Sequence, residues 1–195
     1  MTRLAARSAW AAALVALAFT AACSPAPAEP DPTPTSTRTI PSSLPKEVAD
    51  MWAEKVESPK KTAEDLCGLL TVAEVTAAVG VEAAEGVANG PGKCAWSIGG
   101  TVDAKGRPDA GVLLTTPKPV AWLGDKTTVS GHPARTSGSG GTPVCTLKVL
   151  LREPVEDPDD RPVLELFVVT KGDAPRDQCE AARSLAELAL DRLPA

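Results

Sequence analysis

The sequence contains few of the residues on which most catalytic and metal sites depend. It has a single histidine, His132, and no tyrosine, and aromatic residues make up 3% of the chain. One histidine excludes multi-histidine metal sites and mechanisms that use two imidazoles. None of the five cysteines forms a Cys-x-x-Cys pair, which excludes zinc-ribbon and thioredoxin-like sites. We therefore predict that the protein uses no metal and no cofactor.

Basic residues are outnumbered by acidic residues. The chain has 20 Lys and Arg against 25 Asp and Glu, which gives a net charge of −5 at pH 7. Such a chain has no excess of positive charge to attract a nucleic-acid backbone, and it has no polybasic segment for anionic lipid. We predict that nucleic acid is not a partner and that attachment to a membrane does not depend on basic residues.

Long hydrophobic runs are absent except near the N-terminus. Residues 9–22 form an apolar run of 14 residues that follows Arg3 and Arg7 and ends in small residues before Cys23. A helix needs about 20 apolar residues to cross a bilayer core, so this run has the pattern of a signal peptide. We predict that residues 1–22 are a lipoprotein signal peptide and that lipid on Cys23 anchors the mature chain to the extracytoplasmic face of the cell membrane. The alternative is an ordinary secretory signal with a chance cysteine at the cleavage site.

The composition of residues 23–62 predicts a tether. Seven prolines fall between residues 25 and 45, among Ala, Thr and Ser. Proline fixes φ and removes a backbone donor, so we expect extended polyproline II character here. Four apolar residues near the end of the tether recur at helical spacing and predict a short helix that packs on the following domain. These residues are Val48, Met51, Trp52 and Val56.

Residues 63–195 carry the signals of one folded domain that begins and ends with a helix. Thr71 and Glu74 form a capping box that starts the first helix, and Gly80 ends it. Asp177 and Glu180 form a second capping box, which starts the C-terminal helix.

Strand patterns lie between the two predicted helices, at residues 94–98, 110–116, 127–135, 144–152 and 163–170. Consecutive strands have no helix between them, so their sheet is expected to be antiparallel. The last strand is apolar throughout, which predicts a central position. The fold class is therefore α+β, with a mostly antiparallel sheet of about five strands flanked by an N-terminal and a C-terminal helix.

The cysteines that remain beside Cys23 predict two disulfides, because exported chains fold in an oxidising compartment. Four cysteines allow three pairings, and spacing alone does not select one. The predicted elements favour Cys67–Cys94, since Cys67 precedes the first helix and Cys94 starts the strand after it. They also favour Cys145–Cys179, since both residues lie on inward faces of adjacent elements.

Several motifs of the domain carry a resemblance to a known family. They are residues 67–71 (Cys-Gly-Leu-Leu-Thr), 94–96 (Cys-Ala-Trp) and 131–134 (Gly-His-Pro-Ala), with Cys145 and Cys179. With them, residues 64–194 resemble actinobacterial lipoproteins built on a disulfide-stapled domain of unknown function. The resemblance implies a lipid-anchored extracytoplasmic domain, and it implies no reaction and no catalytic residue.

Two residues are candidates for a binding surface. Trp122 follows a Pro-Lys-Pro segment and is either a surface anchor or a core residue, and His132 is expected in a polar loop. We predict a non-enzymatic binding module for an envelope protein, a wall polymer or a small ligand. The alternative is an extracytoplasmic hydrolase or another enzyme with an unrecognised site. A pocket with paired carboxylates near His132 would favour the enzyme, and a flat or apolar groove would favour the binding module.

Overall fold

The computed structural model describes residues 45–100, 110–117, 121–138, 143–155, 160–171 and 176–195. The predicted leader, the lipidation site Cys23 and the proline-rich residues 24–44 lie outside these ranges. The elements in chain order are α1 (Lys46–Ala53), a 3-10 turn (Cys67–Leu69), α2 (Val72–Val79), β1 (Val87–Ala88), β2 (Lys93–Ser97), β3 (Gly111–Thr115), β4 (Asp125–Val129), β5 (His132–Ser137), β6 (Val144–Leu150), β7 (Val163–Val169) and α3 (Gln178–Arg192).

The strands form one antiparallel sheet in the order β1-β2-β3-β7-β6-β5-β4. The α+β class, the antiparallel sheet, the C-terminal helix and the central position of β7 are confirmed. The predicted number of about five strands is wrong, because the described residues form seven. Two local features, a hairpin turn and a bulge, explain the difference.

The first feature is the turn at Ser130 and Gly131, which divides the predicted strand 127–135 into β4 and β5. Ser130 has a φ of 46° and Gly131 a φ of 80°. Two consecutive residues with positive φ are typical of the tight two-residue hairpin turn whose twist matches the flanking strands. The Ser130-Gly131 pair is a turn signal that the prediction of one strand over residues 127–135 did not take into account.

The second feature is a bulge beside β1, which has only two residues. The pairing of Ala83 with Ile98 and that of Val87 with Ala95 differ in register by one residue, so two residues on this side face one on β2. Gly86 lies in the bulge, where an added Cβ would come within 2.7 Å of the Trp96 indole. A strand this short and irregular leaves no periodic pattern in the sequence.

One face of the sheet, here called the inner face, is covered by helices. α3 packs on β6 and β7, and α2 packs against α3. The side chains that β7 directs to this face, Leu164, Leu166 and Val168, are fully buried. Ala182, Ala186 and Leu190 of α3 recur at helical spacing and are buried, as is Leu193, which follows the helix. Burial of this apolar surface is the main stabilising contribution to the fold.

Helices α2 and α3 begin at the capping residues that the sequence predicts. Glu74 N–H donates to Thr71 Oγ1 at 3.3 Å, and Thr71 N–H donates to Glu74 Oε2 at 2.8 Å, so the first capping box is confirmed. Gly80 ends α2 with a φ of 75°. For α3 the structure contains one half of the predicted box: the Asp177 carboxylate accepts bonds from the N–H groups of Cys179 and Glu180.

Both predicted disulfides are present. Cys67–Cys94 joins the turn before α2 to β2 with a Cα–Cα distance of 5.1 Å, and Cys145–Cys179 joins β6 to α3 with a Cα–Cα distance of 5.2 Å. Each bridge therefore fixes a covering helix region to the inner face of the sheet.

The opposite face, here called the outer face, carries a smaller apolar cluster. Helix α1 packs on it, as the sequence predicts for the end of the tether, so the packed region extends upstream of residue 63. Leu150, which breaks the alternation of β6, contacts this cluster and is fully buried. The buried members of the cluster are Met51, Trp122, Leu150 and Val163. No helix in the described part of the chain has the length and apolar character needed to cross a membrane.

Candidate functional site

The outer face carries a line of polar side chains at right angles to the strands. The strand register places Lys126 opposite Arg135, and Arg135 opposite Lys148. Residues that are direct partners in neighbouring strands point to the same face, so the three cations are adjacent. Further partners continue the line to the other side of the sheet. We call this set the transverse row: Lys126, Arg135, Lys148, Glu165, Thr115 and Lys93.

Arg135 is the buried member of the three cations. Its residue surface is 4% exposed. Its Nη2 donates to Glu54 Oε1 at 2.8 Å, and its Nη1 donates to the Ala134 carbonyl at 3.3 Å. Its Cζ lies 5.1 Å from the centroid of the Trp122 ring, within range of a cation–π interaction. A carboxylate and an aromatic face therefore hold the guanidinium in one position.

The other two cations of the row differ in their contacts. Lys148 Nζ donates to the Ala121 carbonyl at 2.5 Å. Lys126 is exposed and has no ion-pair partner among the described residues. Like charges directly opposite each other in a sheet are destabilising, so the arrangement of Lys126 beside Arg135 has an energetic cost.

Lys126 and Arg135 line an open cleft of about 410 Å³, here called the Arg135 cleft. Two of its lining side chains are basic and one, Glu54, is acidic, so the cleft is positive within a chain of net charge −5. Such an arrangement can bind an anionic group. The described residues that line the cleft are Glu54, Lys126, Thr127, Thr128, Gly131, Pro133 and Arg135.

The first sequence-predicted site residue, Trp122, is buried rather than exposed. Its residue surface is 2% exposed, and the side chain packs in the outer apolar cluster beneath Arg135. Of the two alternatives for Trp122, the core position is confirmed and the surface anchor is wrong, because the ring packs with Met51 and Leu150. Trp122 still contributes to the site, since it supports the guanidinium at the base of the cleft.

The second predicted site residue, His132, is also buried. It is 3% exposed and begins β5, with Nδ1 2.9 Å from the Leu150 carbonyl oxygen. The prediction of a polar loop is wrong because the tight turn at Ser130 and Gly131 brings the chain directly into the sheet. His132 does not line the Arg135 cleft.

Sequence reasoning missed Glu54, Lys126 and Arg135. Glu54 and Arg135 are 81 residues apart in the chain and meet only because α1 packs on the outer face. Strand alternation is the one local signal: Arg135 is offset by one from Ala134, which faces the inner core. That signal identifies the face and not the partners.

A second, apolar groove of about 250 Å³ lies on the other half of the outer face. It is lined on β2, β3 and β7 by half-buried side chains, among them Ala95, Leu113, Phe167 and Val169. None of the described residues that line this groove is charged. Among the described residues, no group of three His, Cys, Asp or Glu side chains is placed to hold a metal ion.

Comparison with known proteins identifies a family without an assigned activity. Residues 18–192 match the family described as a protein of unknown function, DUF3558. No curated protein and no solved structure matches the chain. The geometry of the Arg135 cleft is therefore the basis for a functional argument.

Proposed function

Since the chain belongs to the DUF3558 family, whose function is unknown, we propose a function from the geometry: a non-enzymatic binding module of the cell envelope. The module takes its ligand in the Arg135 cleft and is held at the membrane by lipid on Cys23. The ligand is an envelope protein, a wall polymer or a small molecule.

The observation that carries this proposal is the fixed, buried guanidinium at the base of an open cleft. Arg135 is held by Glu54 and by the Trp122 ring, and it is next to the exposed Lys126. Recognition sites commonly combine a pre-positioned polar group with an open, shaped cavity. A charge held in place before binding also loses little conformational entropy when a ligand arrives.

The arrangement favours binding over hydrolysis. General acid–base catalysis needs a proton-transferring side chain that can reach the substrate. Among the described residues, the one carboxylate that lines the cleft belongs to Glu54, which is paired with Arg135. The only histidine of the chain is buried against a backbone carbonyl. These features support a binding role over the alternative, an extracytoplasmic hydrolase, because the carboxylate is already paired and the imidazole does not line the cleft.

The location at the extracytoplasmic face rests on two observations. The sequence around Cys23 has the pattern of a lipidated signal peptide. The two disulfides are typical of proteins that fold in an oxidising compartment. Cys23→Ala is expected to release the protein from the membrane or to block its processing, which detergent partitioning and intact mass would show. A variant that still partitions as a lipoprotein of mature mass would contradict the anchor.

The binding role is tested by crosslinking in intact cells. A photoreactive amino acid at Thr128, exposed in the cleft, is expected to capture a specific partner. The matched control carries the same group at Ser184, exposed on α3 away from the outer face. Adducts found with the Thr128 variant and absent with the Ser184 variant would support the proposal. Equal labelling at both positions, or no adduct at Thr128, would contradict it.

A further inference from the structure

We infer that the ligand presents a carboxylate or a phosphate group, which binds between Lys126 and Arg135. This inference rests on the proposed function and adds the chemical class of the ligand. It identifies Lys126 as the residue that distinguishes an anionic ligand from a neutral one.

The positive charge at the Arg135 cleft is only partly compensated by carboxylates of the described residues. Lys126 and Arg135 are direct cross-strand partners, and Lys148 is the partner of Arg135 on its other side. Arg135 is paired with Glu54 and Lys148 lies opposite Glu165, whereas Lys126 has no ion-pair partner among the described residues. The repulsion between Lys126 and Arg135 is therefore only partly compensated. An anion between Lys126 and Arg135 would convert this repulsion into attraction, so the unliganded arrangement is electrostatically prepared for one.

The Arg135 cleft offers free space and a further hydrogen-bond donor beside the two cations. Thr128 is exposed at the cleft, and its hydroxyl is a possible donor to an anionic oxygen. An added Cβ at Gly131 would have no heavy atom within 4 Å, so the turn leaves the cleft open on that side. Guanidinium and ammonium groups bind carboxylate and phosphate through charge-assisted hydrogen bonds.

Glu54 already occupies one side of the Arg135 guanidinium. Its carboxylate is one quarter exposed and belongs to the residue that ends α1. An incoming anion is repelled by this charge, so Glu54 is expected to limit the affinity. Removal of the Glu54 charge should therefore strengthen anion binding, whereas removal of the Lys126 charge should weaken it. A site for a neutral ligand would not respond to the two changes in opposite directions.

The experiment uses the full lipidated chain in detergent micelles, labelled with ¹⁵N-tryptophan. The indole N–H of Trp122 is a suitable reporter because the ring lies beneath Arg135 and its Nε1 has no partner among the described residues. Trp122→Phe assigns the resonance. Inorganic phosphate and acetate are titrated separately at constant ionic strength, so that the two arms distinguish a phosphate ligand from a carboxylate ligand.

Saturable shifts of the Trp122 resonance with at least one anion are expected. Lys126→Gln should weaken that binding on the order of tenfold, the effect of losing one charged hydrogen bond. Glu54→Gln should strengthen it several-fold. The matched control is Lys93→Gln, which removes an exposed lysine from the same row about 24 Å away, at five strand spacings, and should change nothing.

Two results would overturn the inference: no saturable shift with either anion, or equal affinities for the Lys126→Gln and Lys93→Gln variants. If either result occurred while crosslinking at Thr128 remained specific, the cleft would bind a neutral ligand and the proposed function would stand. If Thr128 crosslinking also failed, both proposals would be wrong.

Discussion

The two faces of the sheet differ in polarity and in how they are covered, although the same strands form both. The inner face is apolar, is covered by α2 and α3, and is fixed by two disulfides. The outer face bears the transverse row of polar and charged side chains, a small apolar cluster beneath α1 and a half-buried apolar groove. The difference indicates that stability is concentrated on the inner face. The outer face is left free to carry charges that a core would not tolerate.

The largest expected effect is on the inner face, where a disulfide is removed. The Cys145→Ala/Cys179→Ala variant opens a loop with a sequence separation of 34 residues. Loss of this constraint on the unfolded chain should lower the free energy of unfolding by about 4 kcal/mol. Urea denaturation followed by circular dichroism would measure it. A loss below about 1 kcal/mol would mean that the bridge does not hold α3 on the sheet.

Two adjacent residues of β7, one on each face of the sheet, allow a direct comparison of the two faces. Leu166 is fully buried on the inner face, whereas Phe167 is half-buried on the outer face. Leu166→Ala should cost about 3 kcal/mol of unfolding free energy, because it leaves a cavity in the core. Phe167→Ala should cost about 1 kcal/mol despite removing the larger side chain. Equal losses in denaturant titrations would show that the outer face is covered as fully as the inner one.

The strongest stability effect expected within the transverse row is at Arg135. Arg135→Gln removes the bond to Glu54 and the contact with Trp122, and it should lower the free energy of unfolding by about 2 kcal/mol. Glu54→Gln supplies the second arm of a double-mutant cycle, with an expected coupling energy of about 1 kcal/mol. A coupling energy near zero would show that the pair does not position the guanidinium.

The smallest effect concerns an ion pair that joins α2 to α3. Arg192 Nη1 donates to Glu74 Oε2 at 2.8 Å, and this interaction, with the Thr71 N–H, lowers the pKa of Glu74 from 4.5 to about 2. Because the folded pKa is the lower one, the stabilisation is complete above pH 4.5 and is lost as the pH falls towards 2.

Glu74→Gln should therefore destabilise the protein by less than about 1 kcal/mol at pH 7, since the pair is partly exposed. The difference from the wild type should shrink between pH 4.5 and pH 2, as measured by thermal denaturation at each pH. The matched control is Glu187→Gln, which removes a carboxylate from the exposed side of α3 and leaves the Glu74–Arg192 pair intact. A constant difference across this range would contradict the assigned pKa.

Much of the inner face could be predicted from the sequence because its signals are local. Alternation along residues 144–152 identifies the buried residues of β6, and the Thr71–Glu74 box marks the start of α2. The disulfide pairing followed from the order of the elements, and both bridges are present. The predicted number of strands failed at the Ser130–Gly131 turn, where a turn signal was not taken into account, and at the bulge beside β1, where the strand is short and irregular.

Local sequence signals were enough to predict the α+β class, the cysteine framework and the residues that face the core. Periodicity and capping act within a few residues of each other. The Arg135 cleft, in contrast, forms only when distant segments pack together, so the sequence pattern does not predict it. Lys126 and Arg135 become neighbours through strand register, and Glu54 reaches Arg135 across 81 residues of chain once α1 packs on the outer face. Electrostatic interactions depend on distance in space, and that distance is set only when the strands and the helix have come together.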